Sequence, residues 1–388
     1  MMQDQRPRRL LKAALASCAF LLMSTAAVSQ EDFRTIGGGK REVTPEVERA
    51  TQRGLSYLAK QQHAEGYWLA DIGFKVNADY ETTKADAAHT GISALAIMAF
   101  LACGEIPGRG RYGDVVQRGL DYLIRHTNEN GYISQNGTRM YSHAFATLCL
   151  AEAYGMTRSK ALRDALQRSV TLISDSQNRE GGWRYKPFAA QSDMSVTVCQ
   201  VVALRAARNS GLHVPKSVID NAVRYVRRSA RSDRQLNWDR LQRDRNLGYF
   251  NDGIFNYQTG RNARASFPLT AAGVVTLYGA GVYEDPLIDR GLEFLKKRLS
   301  RYNKQYRSHY FFYYGNYYAV QAFYMAGGKR WNFYYDHIKD YLLRSQVQRK
   351  GPEFGAWTCE VGPGSNFGTA VATLILAIPY QYLPIFQK

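Results

Sequence analysis

Two kinds of helical stretch alternate along this chain. Six place apolar residues at helical spacing on one side and charged residues on the other: Thr44–Gln62, Gly113–Thr127, Lys160–Gln177, Pro215–Ala230, Asp285–Arg301 and Asn332–Gln346. Between and after them run six nearly uncharged stretches rich in Ala, Gly, Leu and Thr: His89–Gly104, Tyr141–Gly155, Ser195–Gly211, Leu269–Gly281, Tyr310–Gly328 and Phe367–Tyr382. A helix that is apolar all round must be buried on every side. The pattern therefore predicts an all-α protein, with an inner layer of buried helices and an outer layer of amphipathic ones. Fragments such as Gln52-Arg53-Gly54-Leu55, Gln117-Arg118-Gly119-Leu120 and Asp289-Arg290-Gly291-Leu292 show that the outer helices are repeats of one unit. A linear solenoid would need polar caps at its ends. The last apolar stretch runs instead into Ile378-Pro379-Tyr380-Gln381-Tyr382-Leu383-Pro384. The expectation is a closed α/α toroid of six inner and six outer helices, spanning 44–388 as a single domain.

The first thirty residues stand apart. Arg6, Arg8, Arg9 and Lys12 precede an apolar run, Ala13 to Met23, and small residues follow before Gln30-Glu31-Asp32. That order reads as a signal peptide over 1–30, with 31–43 as a linker, and predicts an exported protein of the periplasm or envelope. Leu15-Ala16-Ser17-Cys18 also fits a lipidation site, but the apolar run continues past Cys18. No later stretch is apolar enough to span a bilayer. The formal charge is +18. Much of the excess lies in Arg224–Arg245 and Lys296–Arg307, which fits contact with an anionic envelope surface or a solvated basic face. An exported chain with no recognition motif is not expected to bind nucleic acid. Cys103, Cys149, Cys199 and Cys359 follow no metal-binding spacing, and no cofactor is expected.

A third repeated element joins outer to inner helices. Gln62-His63-Ala64-Glu65-Gly66-Tyr67-Trp68 and Gln177-Asn178-Arg179-Glu180-Gly181-Gly182-Trp183 both read Q-x-x-x-G-x-W. Weaker copies are Asn130-Gly131-Tyr132-Ile133, Leu247-Gly248-Tyr249-Phe250 and Gln348 through Gly355-Ala356-Trp357. This resembles the QW repeat of squalene–hopene cyclases and of protein prenyltransferase β subunits. More narrowly, the chain resembles exported prenyltransferase/squalene-oxidase-repeat proteins of planctomycete-type bacteria. The resemblance implies an α/α toroid in which Gln caps the outer helix, Gly makes the turn and Trp packs over the next helix end. It also implies two chemistries that these residues do not support. The cyclases protonate an alkene with the middle Asp of D-x-D-D, and here Asp193 takes the first place and Ser195 that of the acid. The prenyltransferases need Asp, Cys and His around zinc, and the mature chain has no D-x-C.

Inner-helix N-termini converge on one mouth of a toroid. Asp86, His89, Tyr141, His143, Asp193, Ser195 and Asn366 are expected there, with Trp68, Trp183, Tyr185 and Trp357 on adjoining loops. His89, His143 and Asp193 are the candidate acid/base residues. Helix capping explains Asp86 and Asp193 equally, and a His at a helix start also bonds backbone. Tyr310 to Tyr318 holds seven aromatics in nine residues, including Tyr313 and Tyr317. An aromatic cavity for an isoprenoid-type lipid or a sugar polymer would use such a run, as would a packed core. Three functions follow: a lipid- or polymer-binding toroid, an enzyme of unfamiliar type acting on terpenoids or polysaccharides, or an envelope scaffold.

Overall fold

The computed structural model describes residues 43–76, 79–232, 253–260, 264–306 and 308–386. The signal and linker expectations over 1–42, the Leu247-to-Phe250 copy of the repeat and much of Arg224–Arg245 lie outside these residues. Twelve α-helices are present among them. The outer set is α1 (Pro45–Gln61), α3 (Gly113–Arg125), α5 (Lys160–Asp175), α7 (Lys216–Ser229), α9 (Pro286–Gln305) and α11 (Gly328–Ser345). The inner set is α2 (Thr90–Ala102), α4 (Arg139–Thr157), α6 (Met194–Asn209), α8 (Phe267–Gly279), α10 (Tyr310–Ala326) and α12 (Ser365–Ala377).

Burial follows the sequence pattern. Every residue of α2 is buried, whereas α3 buries only Val116, Gly119, Leu120, Tyr122 and Leu123 beyond its first residue, a single stripe at helical spacing. Each inner helix packs on the next, and α12 packs back on α2, so the inner ring is closed. The outer helices lean on this ring, with α1 against α12 and α11 against α1. The fold is an α/α toroid.

The connecting element shows why the repeat needs its three residues. Gln177 Nε2 donates to Gly181 O at 3.0 Å and to Val218 O at 2.8 Å, tying its own turn to the next outer helix. Gln62 does the same with Gly66 and Val115, and Gln346 with Gly355 and Ala50. The Gln346 bond to Ala50 joins the last repeat to the first. Gly181 has φ of 88°, and a Cβ there would lie 2.3 Å from Asn221 O, so any side chain would be both strained and blocked. Trp183 is buried, its Nε1 donating to Ile173 O at 2.8 Å, while its backbone N–H reaches Thr197 Oγ1 at 3.2 Å. Trp68 and Trp357 repeat both contacts, with Leu58 and Ser93, and with Leu342 and Thr369.

Two local features differ from the sequence expectation. Residues between α1 and α2 form an antiparallel hairpin, β1 (Leu69–Val76) and β2 (Asp79–Ala88), paired from Leu69↔Ala88 to Val76↔Asp79. Asp86 therefore lies in an exposed strand at φ 43°, not at the start of an inner helix. The last apolar stretch is helical only to Ala377. Pro379 cannot continue an α-helix, and the chain passes through 3₁₀ turns at Ile378–Tyr380 and Pro384–Phe386. No helix among the described residues is long and apolar enough to cross a membrane. The cysteines Cys103, Cys149, Cys199 and Cys359 are free thiols.

Candidate functional site

The N-terminal ends of α4, α6 and α10 and the loops before α6 and α8 bring one polar cluster together. Asp193 is the N-cap of α6, and its Oδ1 accepts from Val196 N at 2.8 Å. The same oxygen accepts from Ser195 Oγ at 2.7 Å. With its hydrogen given to Asp193, Ser195 can only accept from Tyr141 OH, 2.6 Å away. Tyr257 OH donates to Asp193 Oδ2 at 3.3 Å and also meets Tyr185 OH. Tyr314 OH donates to Ser195 O at 2.8 Å, and Cys199, one turn further along α6, lies 3.0 Å from Tyr318 OH. Asp193 is wholly buried, while Tyr141, Tyr185, Tyr257 and Tyr314 are half-buried around it.

The loops are pinned by backbone bonds. Asp193 N donates to Trp183 O at 2.9 Å, Met194 N to Tyr257 O at 2.8 Å, and Met140 N to Tyr185 O at 3.0 Å. Arg139 and Arg184 lie over the Tyr185 ring at 5.8 and 5.7 Å, giving the rim a positive character. Burial pushes the Asp193 carboxyl up to about 6, against the pull of the Ser195, Val196 and Tyr257 donors and the Arg184 charge. Burial raises Tyr141 well above the ordinary phenol range, and the neighbouring Asp193 charge adds to it.

The three groups form one continuous hydrogen-bonded chain. With Asp193 ionised, its hydrogens run inward from Tyr141 to Ser195 to Asp193; with Asp193 protonated they can run the other way. Asp193 caps its helix with the same oxygen that anchors this chain.

The other sequence candidates are placed elsewhere. His89 is the N-cap of α2, Nδ1 accepting from Ile92 N at 3.2 Å, and burial pushes it down to about 4. His143 is wholly buried. Its Nδ1 accepts from Ile133 N at 3.2 Å, the place that Ser93, Thr197 and Thr369 hold in other repeats. Burial pushes it down to about 3, so it is neutral at ordinary pH. Tyr313 is buried with its OH on Thr358 O at 2.7 Å, and Asn366 Nδ2 holds Leu69 O at 2.9 Å at the base of the hairpin. Trp183 and Trp357 are wholly buried in their repeats. Tyr317 packs edge-on to Phe145 inside the ring. Replacing His143 with Ala is expected to leave Ile133 N–H unpaired and lower stability by about 1–3 kcal/mol. Thermal denaturation would show that loss, with the Tyr141 cluster still intact by NMR.

Tyr257 was not marked out by the sequence, because it sits in a loop without pattern. Tyr314 was visible only as one of the run from Tyr310 to Tyr318. Among the described residues, no group of three or more His, Cys, Asp and Glu is placed to hold a metal.

No family model matches the chain, and no curated protein matches it by sequence. Solved structures do share its fold. The α-1,6-mannanase of a Salegentibacter species matches at TM-score 0.58 and 8% identity, over 85% of this chain and 98% of that one. Cellobiose 2-epimerase of Bacillus thermoamylovorans matches at 0.56 and 12%, over 85% and 98%. A type II terpene cyclase of Scytonema, in complex with geranylgeranyl dihydroxybenzoate, matches at 0.53 and 12%, over 87% and 98%. Identities this low carry the toroid alone.

Proposed function

We propose that this protein is a glycan-acting enzyme that moves a proton to and from a sugar at the tyrosine-lined mouth, eliminating or epimerising it. The carrying observation is the Asp193–Ser195–Tyr141 chain, a buried carboxyl with an intermediate proton affinity linked by two hydroxyls to a half-buried phenol. A base works best when its proton affinity sits near the working pH. A substrate proton passes to Tyr141 oxygen while the Tyr141 hydrogen passes to Ser195 and the Ser195 hydrogen to Asp193, which stores the net proton. In an elimination the neighbouring C–O bond then breaks and the stored proton returns through Tyr141 to the departing oxygen.

Hydrolysis by the usual glycosidase route needs two carboxyls about 5–10 Å apart across the bond. Asp193 is the single carboxyl in the cluster described, which favours elimination or epimerisation. Arg139 and Arg184, held over the Tyr185 ring at this rim, suit an acidic sugar. Ring interior space is filled by Phe145, Tyr317, Tyr318 and their neighbours, so a ligand sits on the mouth, where a polymer fits better than an enclosed lipid. Two of the fold neighbours act on sugars by name, a mannanase and a cellobiose epimerase. The N-terminal basic and apolar stretch supports export, and an exported enzyme meets polysaccharides.

The test is incubation of the purified protein with a panel of neutral and uronate-bearing polysaccharides. New unsaturated chain ends are read by ultraviolet absorbance and altered ring stereochemistry by NMR. Conversion of a member supports the reading; recovery of the whole panel unchanged contradicts it.

A further inference from the structure

The opposite end of the ring carries an arrangement that mouth chemistry does not use. About three turns along α4 from Tyr141, Glu152 lies inside the ring in an otherwise apolar helix, 1% exposed. Its Oε2 accepts from Ile385 N at 3.1 Å, and its Oε1 has no hydrogen-bond partner. The void beside it is walled by Met98, Leu148, Val202, Leu374 and Ile375, and covered by Leu383, Ile385 and Phe386. At about 10 Å³ it has room for the centre of one water. Few hydrogen bonds tie the covering segment to the ring, and packing of Leu383 and of the Phe386 ring against Tyr324 supplies the rest. Besides the Glu152 bond, Tyr324 OH donates to Phe386 O at 3.0 Å, and Pro384 rests on Gly155, which has no side chain to keep it off.

We propose that Leu383–Phe386 is a releasable plug of this second mouth and that Glu152 is its catch. The closed plug favours the neutral carboxyl, because a carboxylate would place a full charge among apolar walls with Ile385 N as its one protein hydrogen-bond donor among the described residues. The facing groups do not rescue the charge. From α6, Arg205 attracts the charge, but its guanidinium is directed at Tyr278 O (3.3 Å) and Met325 Sδ (3.8 Å) rather than at Glu152. From α4 and α10, Cys149 and Tyr317 are neutral groups whose own ionisation Glu152 opposes. From α10, Gln321 Nε2 is engaged by Tyr317 O, while α2 and α12 contribute only apolar wall.

Burial holds Glu152 up to about 8 with the plug in place, against an ordinary carboxyl value of 4.5 in water. The closed form therefore binds the proton more tightly. Its advantage is complete below the open-state value and is lost as pH rises towards about 8, by up to about tenfold in the opening equilibrium per pH unit. Lifting the plug would expose the apolar walls, so this mouth would admit an apolar chain rather than a sugar.

Amide hydrogen exchange of full-length protein and of E152Q tests the plug. At each pH the ratio of the two Ile385 exchange rates cancels the chemical rate. The expected ratio is near one below about pH 4 and climbs at up to about tenfold per unit from pH 5 to 8, with amides of α6 unchanged. Gly155→Ala, whose Cβ would come 2.9 Å from Pro384 Cγ, should speed Ile385 exchange at every pH and keep the slope. A ratio flat from pH 5 to 8 would overturn the role of Glu152. Ile385 protection equal to that of the core helices in all three proteins would overturn the plug.

Discussion

Trp183→Ala is expected to lower stability by about 3–5 kcal/mol, the range for removing a large buried aromatic. Packing and a hydrogen bond are lost at once. The ring fills the space between the end of α5 and the start of α6, and it is 1% exposed. Its Nε1 donates to Ile173 O at the end of α5, a carbonyl otherwise reached, among the described residues, only by Ser176 Oγ at 3.3 Å. The loop from Trp183 to Asp193 also carries Tyr185 and ends at the cap of α6, so slackness at Trp183 loosens the mouth. Trp183→Phe should retain part of the packing and lose the carbonyl bond, giving a smaller deficit of about 1–3 kcal/mol. Denaturant unfolding monitored by circular dichroism measures both. A Trp183→Ala protein as stable as the parent would show that the repeat aromatics do not hold the ring together.

Tyr141→Phe and Asp193→Asn are each expected to cut turnover of the glycan substrate by roughly 10²–10⁴-fold, the usual worth of a positioned acid or base. The two act at opposite ends of one hydrogen-bonded chain. Tyr141→Phe removes the oxygen that meets the ligand. Asp193→Asn keeps an acceptor for Val196 N, since asparagine is a good N-cap, but removes the group that stores the proton. The fold should therefore survive Asp193→Asn while the reaction does not. Ser195→Ala interrupts the chain in the middle and should fall in the same range. Asp193 must be ionised to take the proton, and its value is raised to about 6, so the parent rate should decline as pH falls through that point. Steady-state rates across pH 4–9, beside melting temperatures for each variant, separate lost chemistry from lost structure. Variants that turn over at the parent rate would remove this cluster from the reaction.

The architecture was legible because it rests on periodicity. Six apolar stretches and six amphipathic ones announce two layers, and Gln62, Gln177, Trp68 and Trp183 mark turns that only a repeated helix pair explains. Closure followed from the missing polar cap at the C-terminal end, and the contact of Gln346 with Ala50 shows the physical seam. The hairpin at Leu69–Ala88 was not legible. Its β2 is almost wholly exposed, so no apolar alternation marks it, and only pairing with β1 gives it form. That hairpin also explains why Asp86 lies away from the helix start expected for it.

The mouth was legible in part. Tyr141, Tyr185, Asp193 and Ser195 flank inner-helix starts, and the structure joins all four in one cluster. Tyr257 joins from a loop, where sequence offers no period to read. His89 and His143 carry the same sequence signal as the mouth residues, yet their ring nitrogens bond Ile92 N and Ile133 N. Only coordinates distinguish an imidazole serving the backbone from one facing a ligand. Glu152 was not singled out in the sequence, and its plug was hidden because Leu383–Phe386 has no helical pattern.

The central claim is that Asp193 is a buried carboxyl of intermediate proton affinity, coupled to Tyr141 through Ser195. Carboxyl-carbon NMR of aspartate-labelled protein, with Asp193→Asn assigning the signal, measures this without knowledge of the substrate. A midpoint near 6 is expected in the parent protein, moving upward in Ser195→Ala as a donor to the carboxylate is lost. A midpoint at the ordinary aspartate value of about 4, unmoved by Ser195→Ala, would contradict it.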